Sequence, residues 1–271
     1  MMNAVAAASN ITKRQDDLQR IAEALRSVSS FVSSVDCQRV DVTHCPRRGP
    51  TTSVDREIND ILCAILPRRD EGWLSEESAD DHKRLQCERV WIVDPLDGTR
   101  EFLSGIPEWC VSIGLVENGR AVAGGILDPS SGEIFLGSKE TGFTVSNTEC
   151  SNDNAFATES GCVLISRREH NQGKWQRFEQ SAVKLKPAGS IAYRLAHVAA
   201  QRASATCTFE PRHEWDIAGG VALVQAASGA VFALREDLLT FNRSNPLLKG
   251  LVAFSSSCPE QISSLLRGEI A

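Results

Sequence analysis

The chain lacks several things that would have fixed its class at once. No apolar run approaches the roughly 18 residues needed to span a membrane. The opening stretch, "MMNAVAAASNITKRQDD", has no basic segment ahead of a Leu-rich core, so no secretory signal is expected. Positive charge is not in excess: 29 Lys and Arg stand against 35 Asp and Glu, for a net charge of −6. That excludes a basic face built for a nucleic acid polymer or for anionic lipid. No C-x-x-C occurs, and the nine cysteines are scattered and odd in number. Both a disulfide framework and a zinc site are therefore disfavoured, and a reducing, cytoplasmic compartment is favoured. There are no internal repeats and no low-complexity tracts.

What remains is an ordinary globular chain of 271 residues, long enough for one large domain or two halves sharing a core. Leu18, Ile21, Leu25, Val28, Val32 and Val35 recur at helical spacing and predict a helix over 13–35. Val54 to Ile65 predict a second helix, stopped by Pro67. "EGWLSEESADDHK" reads as a polar loop. Residues 89–94 form an apolar strand, and "CVSIGLVENGRAVAGGILD" a hairpin turning at Asn118-Gly119. Residues 147–158 are polar and unperiodic, a linker between a half spanning 1–150 and a half spanning 151–271. The second half alternates: strands "CVLIS", "AVKLK", "ATCTF", "AVFAL" and "GLVAFSS", helices "GKWQRFEQS", "SIAYRLAHVAAQR" and "DIAGGVALVQAAS", the last closed by Gly229. Hairpins followed by alternation suggest layered sheets and helices, not one doubly wound sheet.

Four acidic features carry chemistry. "WIVDPLDGTREF" ends a buried strand with Asp94 and Asp97 three residues apart. Two carboxylates in one tight turn repel unless a cation lies between them. The following "GTREFLSG" can begin a helix, leaving the N–H groups of Gly98 and Thr99 free for an anion. Paired Asp beside free N–H groups amounts to a hard metal next to an anion pocket. The other three features are bland alone. Glu76-Glu77 reads as a solvated pair, Asp216 in "HEWDIAGG" as an N-cap, and Asp55 in "GPTTSVDREIN" as a helix-dipole partner.

Their joint order is not bland. Thr-x-x-Asp, Glu-Glu, Asp-Pro-Leu-Asp-Gly-Thr and Trp-Asp before a small-residue helix together resemble the inositol monophosphatase superfamily of metal-dependent, lithium-sensitive phosphatases. The resemblance runs from about Gly49 to about Gly229. Within it, "DPLDGTREF", "EWDIAGGVALVQAASG" and "GSIAYRLAHVAA" are similar to 3'(2'),5'-bisphosphate nucleotidases of the CysQ type. "SRRE" at Ser166–Glu169 departs from an expected "SRSE", and Gln201 and Ser228 stand where glycine is common.

The resemblance implies a layered αβαβα sandwich of α+β character and hydrolysis of a small phosphate ester with two or three Mg²⁺ ions. One ion would be held by Glu76, Asp94 and the carbonyl of Leu96, and a second by Asp94, Asp97 and Asp216. Asp55, Glu76 and Thr99 would be catalytic, with Thr99 on the attacking water and Asp55 accepting from its hydroxyl. Glu76, Leu96, Asp97, Gly98, Thr99 and Asp216 would surround the substrate. Ser190 and Arg194 would reach the adenosine and its 5'-phosphate. Adenosine 3',5'-bisphosphate is the substrate so implied. An inositol or sugar phosphate is the alternative, and a non-catalytic metal- or nucleotide-binding homologue is a remoter one. The assembly implied is compatible with a homodimer.

Overall fold

The computed structural model describes residues 2–35, 40–45, 49–147, 161–181, 183–236 and 238–269. Its first half runs α1 (Met2–Val32), β1 (Val42–Cys45), β2 (Gly49–Thr52), α2 (Ser53–Ile65), β3 (Gly72–Ser75), β4 (Arg89–Asp97), α3 (Thr99–Leu103), β5 (Cys110–Glu117), β6 (Arg120–Asp128), β7 (Glu133–Ser138) and β8 (Gly142–Asn147). Its second half runs β9 (Cys162–Ser166), α4 (Arg167–Asn171), β10 (Lys184–Ala188), α5 (Ile191–Ala199), β11 (Ala205–Thr208), β12 (Arg212–His213), α6 (Glu214–Ala226), β13 (Ala230–Ala233), β14 (Leu247–Leu248), β15 (Leu251–Phe254) and α7 (Glu260–Arg267).

Two sheets and three helical layers alternate. The six-stranded sheet has the order β3-β4-β5-β6-β7-β8, and the five-stranded sheet the order β10-β9-β11-β15-β13. α1 and α2 cover one face of the first sheet through Ile21, Leu25, Ile58 and Leu62, which pack with Trp91, Val93, Ile113 and Leu127. α5 and α6 fill the space between the sheets, where Leu195, Val221 and Leu223 join Ile92, Ile126, Leu164 and Ala253 in one apolar cluster. α7 closes the far face of the second sheet through Ile262 and Leu266. This is the αβαβα order that the resemblance implies.

The middle layer comes unusually close to the first sheet because the sequence removes side chains there. A Cβ on Gly124 of β6 would lie 2.4 Å from the Gly219 carbonyl oxygen, and one on Gly219 of α6 2.7 Å from the Ile113 carbonyl oxygen. Small residues thus seat the start of α6 against the strands that carry the opening motif.

Several local expectations need correction. Gly72–Ser75 is a strand, not loop, because its backbone pairs in parallel with Val90–Val93 and buries Leu74. Four residues are too few for alternation to register. "GKWQRFEQS" forms only a single 3₁₀ turn, Gln176–Phe178. Trp175 and Phe178 there cluster with Phe209, and this tertiary aromatic contact overrides the weak helical pattern. α6 is not closed by a left-handed Gly229. Ser228 takes that conformation, at φ 62°, and Gly229 then donates to the Val224 carbonyl at 2.8 Å. Gln201 is also left-handed, at φ 59°. Both positions are those where glycine was expected, for this reason. The linker expected over 147–158 lies, after Asn147, outside the described residues.

A charged network fastens α1 to the sheet. Arg89 bonds Asp17, Glu71 and Glu117, and Arg20 bonds Asp17 and Glu71. Burial alone would raise the Glu71 carboxyl, but bonds from Arg20, Trp91, Arg68 and Arg89 bring it down to about 2. Among the described residues, no helix is long and apolar enough to cross a membrane.

Candidate active site

β4 leaves the core buried from Val90 to Leu96 and loses regular register between Asp94 and Asp97, where it pairs with Ser112 and then Cys110 of β5. The irregularity turns both carboxyls to the strand's end. Gly98 follows at φ 100°, and a Cβ there would sit 3.0 Å from Trp109 Cβ, so glycine meets both the dihedral and the space. Thr99 then opens the short α3.

Around this turn lies a cavity of about 290 Å³ lined by Glu76, Asp94, Leu96, Asp97, Gly98, Thr99, Ser190 and Asp216 among others. Residues from both halves of the chain therefore meet at one place. The volume is at the lower end of the roughly 300–1,000 Å³ usual for small-ligand sites.

Each Asp is steadied on one oxygen. Asp94 Oδ1 accepts from Leu96 N at 3.0 Å. Asp216 Oδ2 accepts from His213 N at 3.0 Å, as the partner in a capping box at the start of α6. Asp97 Oδ2 accepts from Ser190 Oγ and, at 2.8 Å, from Ala192 N. Their other oxygens are left for the cavity. Asp216 is therefore not the N-cap, a position that His213 holds; from the third residue of α6 its carboxyl reaches back to the His213 N–H and borders the cavity as well.

The electrostatics reflect four carboxyl groups crowded into a confined space. Burial, then the charges of Asp216, Glu77 and Asp97, push Glu76 up to about 9. Burial, then Glu76, Asp97 and Asp216, hold Asp94 well above the usual carboxylate range. Burial and Asp97 raise Asp216 to about 7, against the pull of Arg212. Among the described residues, no three Asp, Glu, His or Cys groups are drawn tight enough to hold an ion unaided. The carboxyls ring the cavity instead, as mutually repelling groups do. Their chemistry nonetheless fits a hard divalent cation. The donors are all oxygen, three carry one unpartnered oxygen each, and a cation would relieve the repulsion that perturbs them.

Asp55 does not line the cavity. It is buried within the capping box of α2, accepting from Thr52 N at 2.9 Å and from Thr52 Oγ1. Burial raises its carboxyl, opposed by bonds from Thr52 and from the Thr99 hydroxyl. The Thr99 hydroxyl also has the Leu96 carbonyl as an acceptor, donating to it at 3.2 Å. Asp55 thus sits behind Thr99, and its charge also bears on Glu76.

Arg194 is not brought to the site. It is wholly buried, with Nη1 donating to Thr206 Oγ1 at 3.0 Å and to the Cys207 carbonyl at 3.2 Å. It braces α5 against β11. An Arg in the fourth position of an apolar helix faces the core once that helix lies between two sheets. Four other arginines, Arg100, Arg167, Arg168 and Arg212, line the cavity instead. None of the four is among the expected site residues, although Arg100 stands in the "TREF" of the opening motif and Arg167 and Arg168 in the "SRRE" departure; Arg212 carries no such signal. Glu169 of "SRRE" is buried and accepts from Thr208 Oγ1, Phe209 N and Glu210 N, tying α4 to the segment that leads into β12 and Arg212.

A five-layer sandwich with a carboxyl-ringed cavity at the junction of its halves defines a phosphatase architecture of the sugar-phosphatase type. The chain belongs to the inositol monophosphatase family, whose sequence profile matches residues 9–267. The Nus factor SuhB of Xylella fastidiosa is 34% identical over 192 residues, 66% of this chain and 67% of that protein. The crystal structure of CysQ from Bacteroides thetaiotaomicron superposes with a TM-score of 0.68 at 25% identity, covering 91% of this chain and 97% of that one. An IMPase/NADP phosphatase solved with Mg²⁺ and phosphate superposes with a TM-score of 0.71 over 94% of this chain and 96% of its own, with 15% identity, a likeness of fold alone. The family is one of phosphatases acting on small phosphate esters.

Proposed function

We propose that the chain is a Mg²⁺-dependent phosphomonoesterase that removes the 3'-phosphate of adenosine 3',5'-bisphosphate, giving AMP and phosphate. The observation that carries the reading is the two-sided cavity. Glu76, Asp94, Asp97 and Asp216 stand with Thr99, and Arg100, Arg167, Arg168 and Arg212 share the lining. A substrate with one phosphate at the carboxyl-bound metal has little use for four arginines. A second phosphate has, because guanidinium forks match phosphate oxygens.

In this reading Glu76, Asp94, Asp97, Asp216 and the Leu96 carbonyl would hold two or three Mg²⁺ ions. Bound Mg²⁺ supplies charge neutralisation at the phosphate and acidifies water. The protein's own groups do the rest. The N–H groups of Gly98 and Thr99 hold phosphate oxygens. Asp55 accepts from the Thr99 hydroxyl, which leaves the Thr99 oxygen to orient and receive a hydrogen bond from the attacking water. The half spanning 1–150 carries most of the metal ligands with Gly98, Thr99 and Arg100, and the half spanning 151–271 carries Asp216 and the other three arginines. Inositol 1-phosphate is the second reading, favoured by the family match itself. Six free cysteines among the described residues suit a reducing cytoplasm.

The test is phosphate release from adenosine 3',5'-bisphosphate and from inositol 1-phosphate, side by side, with Mg²⁺ and with chelator. Higher kcat/KM on the bisphosphate, lost with chelator and inhibited by millimolar Li⁺, is expected. Faster turnover of inositol phosphate overturns the substrate assignment. No Mg²⁺-dependent turnover on either ester favours a binding module.

A further inference from the structure

We infer that Ser190 is a positioning residue for Asp97, holding that carboxyl for metal from across the molecule, and is not a substrate contact. The inference rests on the proposed metal role of Asp97.

The hydroxyl of Ser190 is fully occupied. Its proton goes to Asp97 Oδ2. Its oxygen accepts from Tyr193 N at 2.9 Å and lies 3.3 Å from Cys110 Sγ. A serine hydroxyl has one donor and two acceptor positions, so nothing remains for a ligand. Ser190 is 3% exposed, although it borders the cavity.

The arrangement differs from that of the other two aspartates. Asp94 and Asp216 are steadied by backbone N–H groups two and three residues away in their own turns. Asp97 belongs to the first sheet, yet both its donors, Ser190 Oγ and Ala192 N, come from the start of α5 in the second half. The start of α5 is itself pinned to the first half at a separate point. Gly189 N donates to Glu108 Oε2 at 2.8 Å and Ser190 N to the Glu108 carbonyl at 3.2 Å. Oδ2 of Asp97 is therefore tied to a rigid helix end, and rotation about the carboxyl is stopped with Oδ1 free. Groups that orient a ligating carboxylate in this way typically change metal affinity about 10–100-fold when removed.

The experiment is calorimetric titration of Mg²⁺ into substrate-free protein, with thermal unfolding of each variant and steady-state kinetics at saturating Mg²⁺. Ser190→Ala should weaken Mg²⁺ binding by about 10–100-fold, while KM at saturating Mg²⁺ stays within about twofold of wild type. Ser190→Thr keeps the hydroxyl and should restore Mg²⁺ affinity to within about threefold. Ser190→Gly caps a helix nearly as well as serine but has no proton for Asp97. It should bind Mg²⁺ as poorly as the alanine variant while melting closer to wild type. Three results overturn the inference: unchanged Mg²⁺ affinity with raised KM, unchanged Mg²⁺ affinity with only a lowered melting temperature, or wild-type Mg²⁺ affinity in the glycine variant. Wild-type protein that takes up no Mg²⁺ overturns the metal role of Asp97 as well, a failure distinct from a variant that binds like wild type.

Discussion

Replacing Gly219 by alanine should break the site without breaking the protein. Taken as a helix position alone, glycine to alanine in the interior of α6 is favourable by up to about 1 kcal/mol. The packing opposes it. The new Cβ would sit 2.7 Å from the Ile113 carbonyl oxygen and 2.8 Å from Ser112 Oγ. Ser112 can rotate, but the carbonyl belongs to the central strand β5 and cannot. Reaching an ordinary contact of about 3.4 Å needs a retreat of about 0.7 Å by α6. Overpacking of this kind costs about 1–3 kcal/mol, so the net destabilisation is about 0–2 kcal/mol, or at most several degrees in Tm for a chain of this size. Activity should suffer more. Asp216 lies one turn earlier on the same face of α6, opposite Asp94 and Asp97. A displacement approaching 1 Å at a reacting centre can cost about 100-fold, so kcat/KM should fall roughly 10–100-fold. The assay pairs urea unfolding with Mg²⁺-dependent phosphate release. Gly268→Ala is the control, since nothing lies within 3.5 Å of its added Cβ. A Gly219→Ala enzyme that is more stable than wild type and fully active refutes the reasoning, because the close approach would then not set the place of Asp216.

Other outcomes follow from the same geometry. Asp97→Asn should reduce kcat by roughly 1,000-fold, the equivalent of about 4 kcal/mol, with an unchanged near-ultraviolet circular dichroism spectrum; residual activity near wild type would remove Asp97 from the metal site. Arg168→Ala and Arg212→Ala should each raise KM for adenosine 3',5'-bisphosphate roughly tenfold, as loss of a charge-assisted bond does, and leave inositol 1-phosphate kinetics unchanged; equal effects on both esters would sink the second-phosphate role. Stability should fall in acid. Glu71 and Glu117 are held at about 2 in the folded protein against an ordinary 4.5, so their contribution is complete above pH 4.5 and lost as pH falls toward 2. Allowing for solvent screening, that loss is about 1–2 kcal/mol per group, read from urea midpoints at pH 7, 4 and 3, and a midpoint constant over that range would contradict it. Ser228→Gly should stabilise by up to about 1 kcal/mol, because serine pays a steric penalty at φ 62°; a lower Tm would show that the penalty is met elsewhere.

The sequence was legible where a pattern is local. Helical spacing marked α2, and Asn118-Gly119 marked a hairpin whose two turn residues do take positive φ, 48° and 76°. Asp94, Asp97, Gly98 and Thr99 were readable as one unit because a turn of six residues holds its own geometry. It was illegible where structure arises between segments. The strand Gly72–Ser75 exists only because β4 lies beside it. Trp175 precedes and Phe178 ends a 3₁₀ turn set by a contact with Phe209, 31 residues on from Phe178.

The site divides along the same line. The sequence by itself determined the chemistry: carboxyl donors in a fixed order, a glycine where φ must be positive, and a threonine after it. Residue type and short spacing are sufficient for that. The tertiary structure decided which neighbours the carboxyls have. It placed Asp55 behind Thr99, turned Arg194 into the core, brought Arg167, Arg168 and Arg212 to the cavity, and gave the Ser190 hydroxyl to Asp97. Side-chain direction on a helix depends on which face the layers bury, and no single helix carries that information alone.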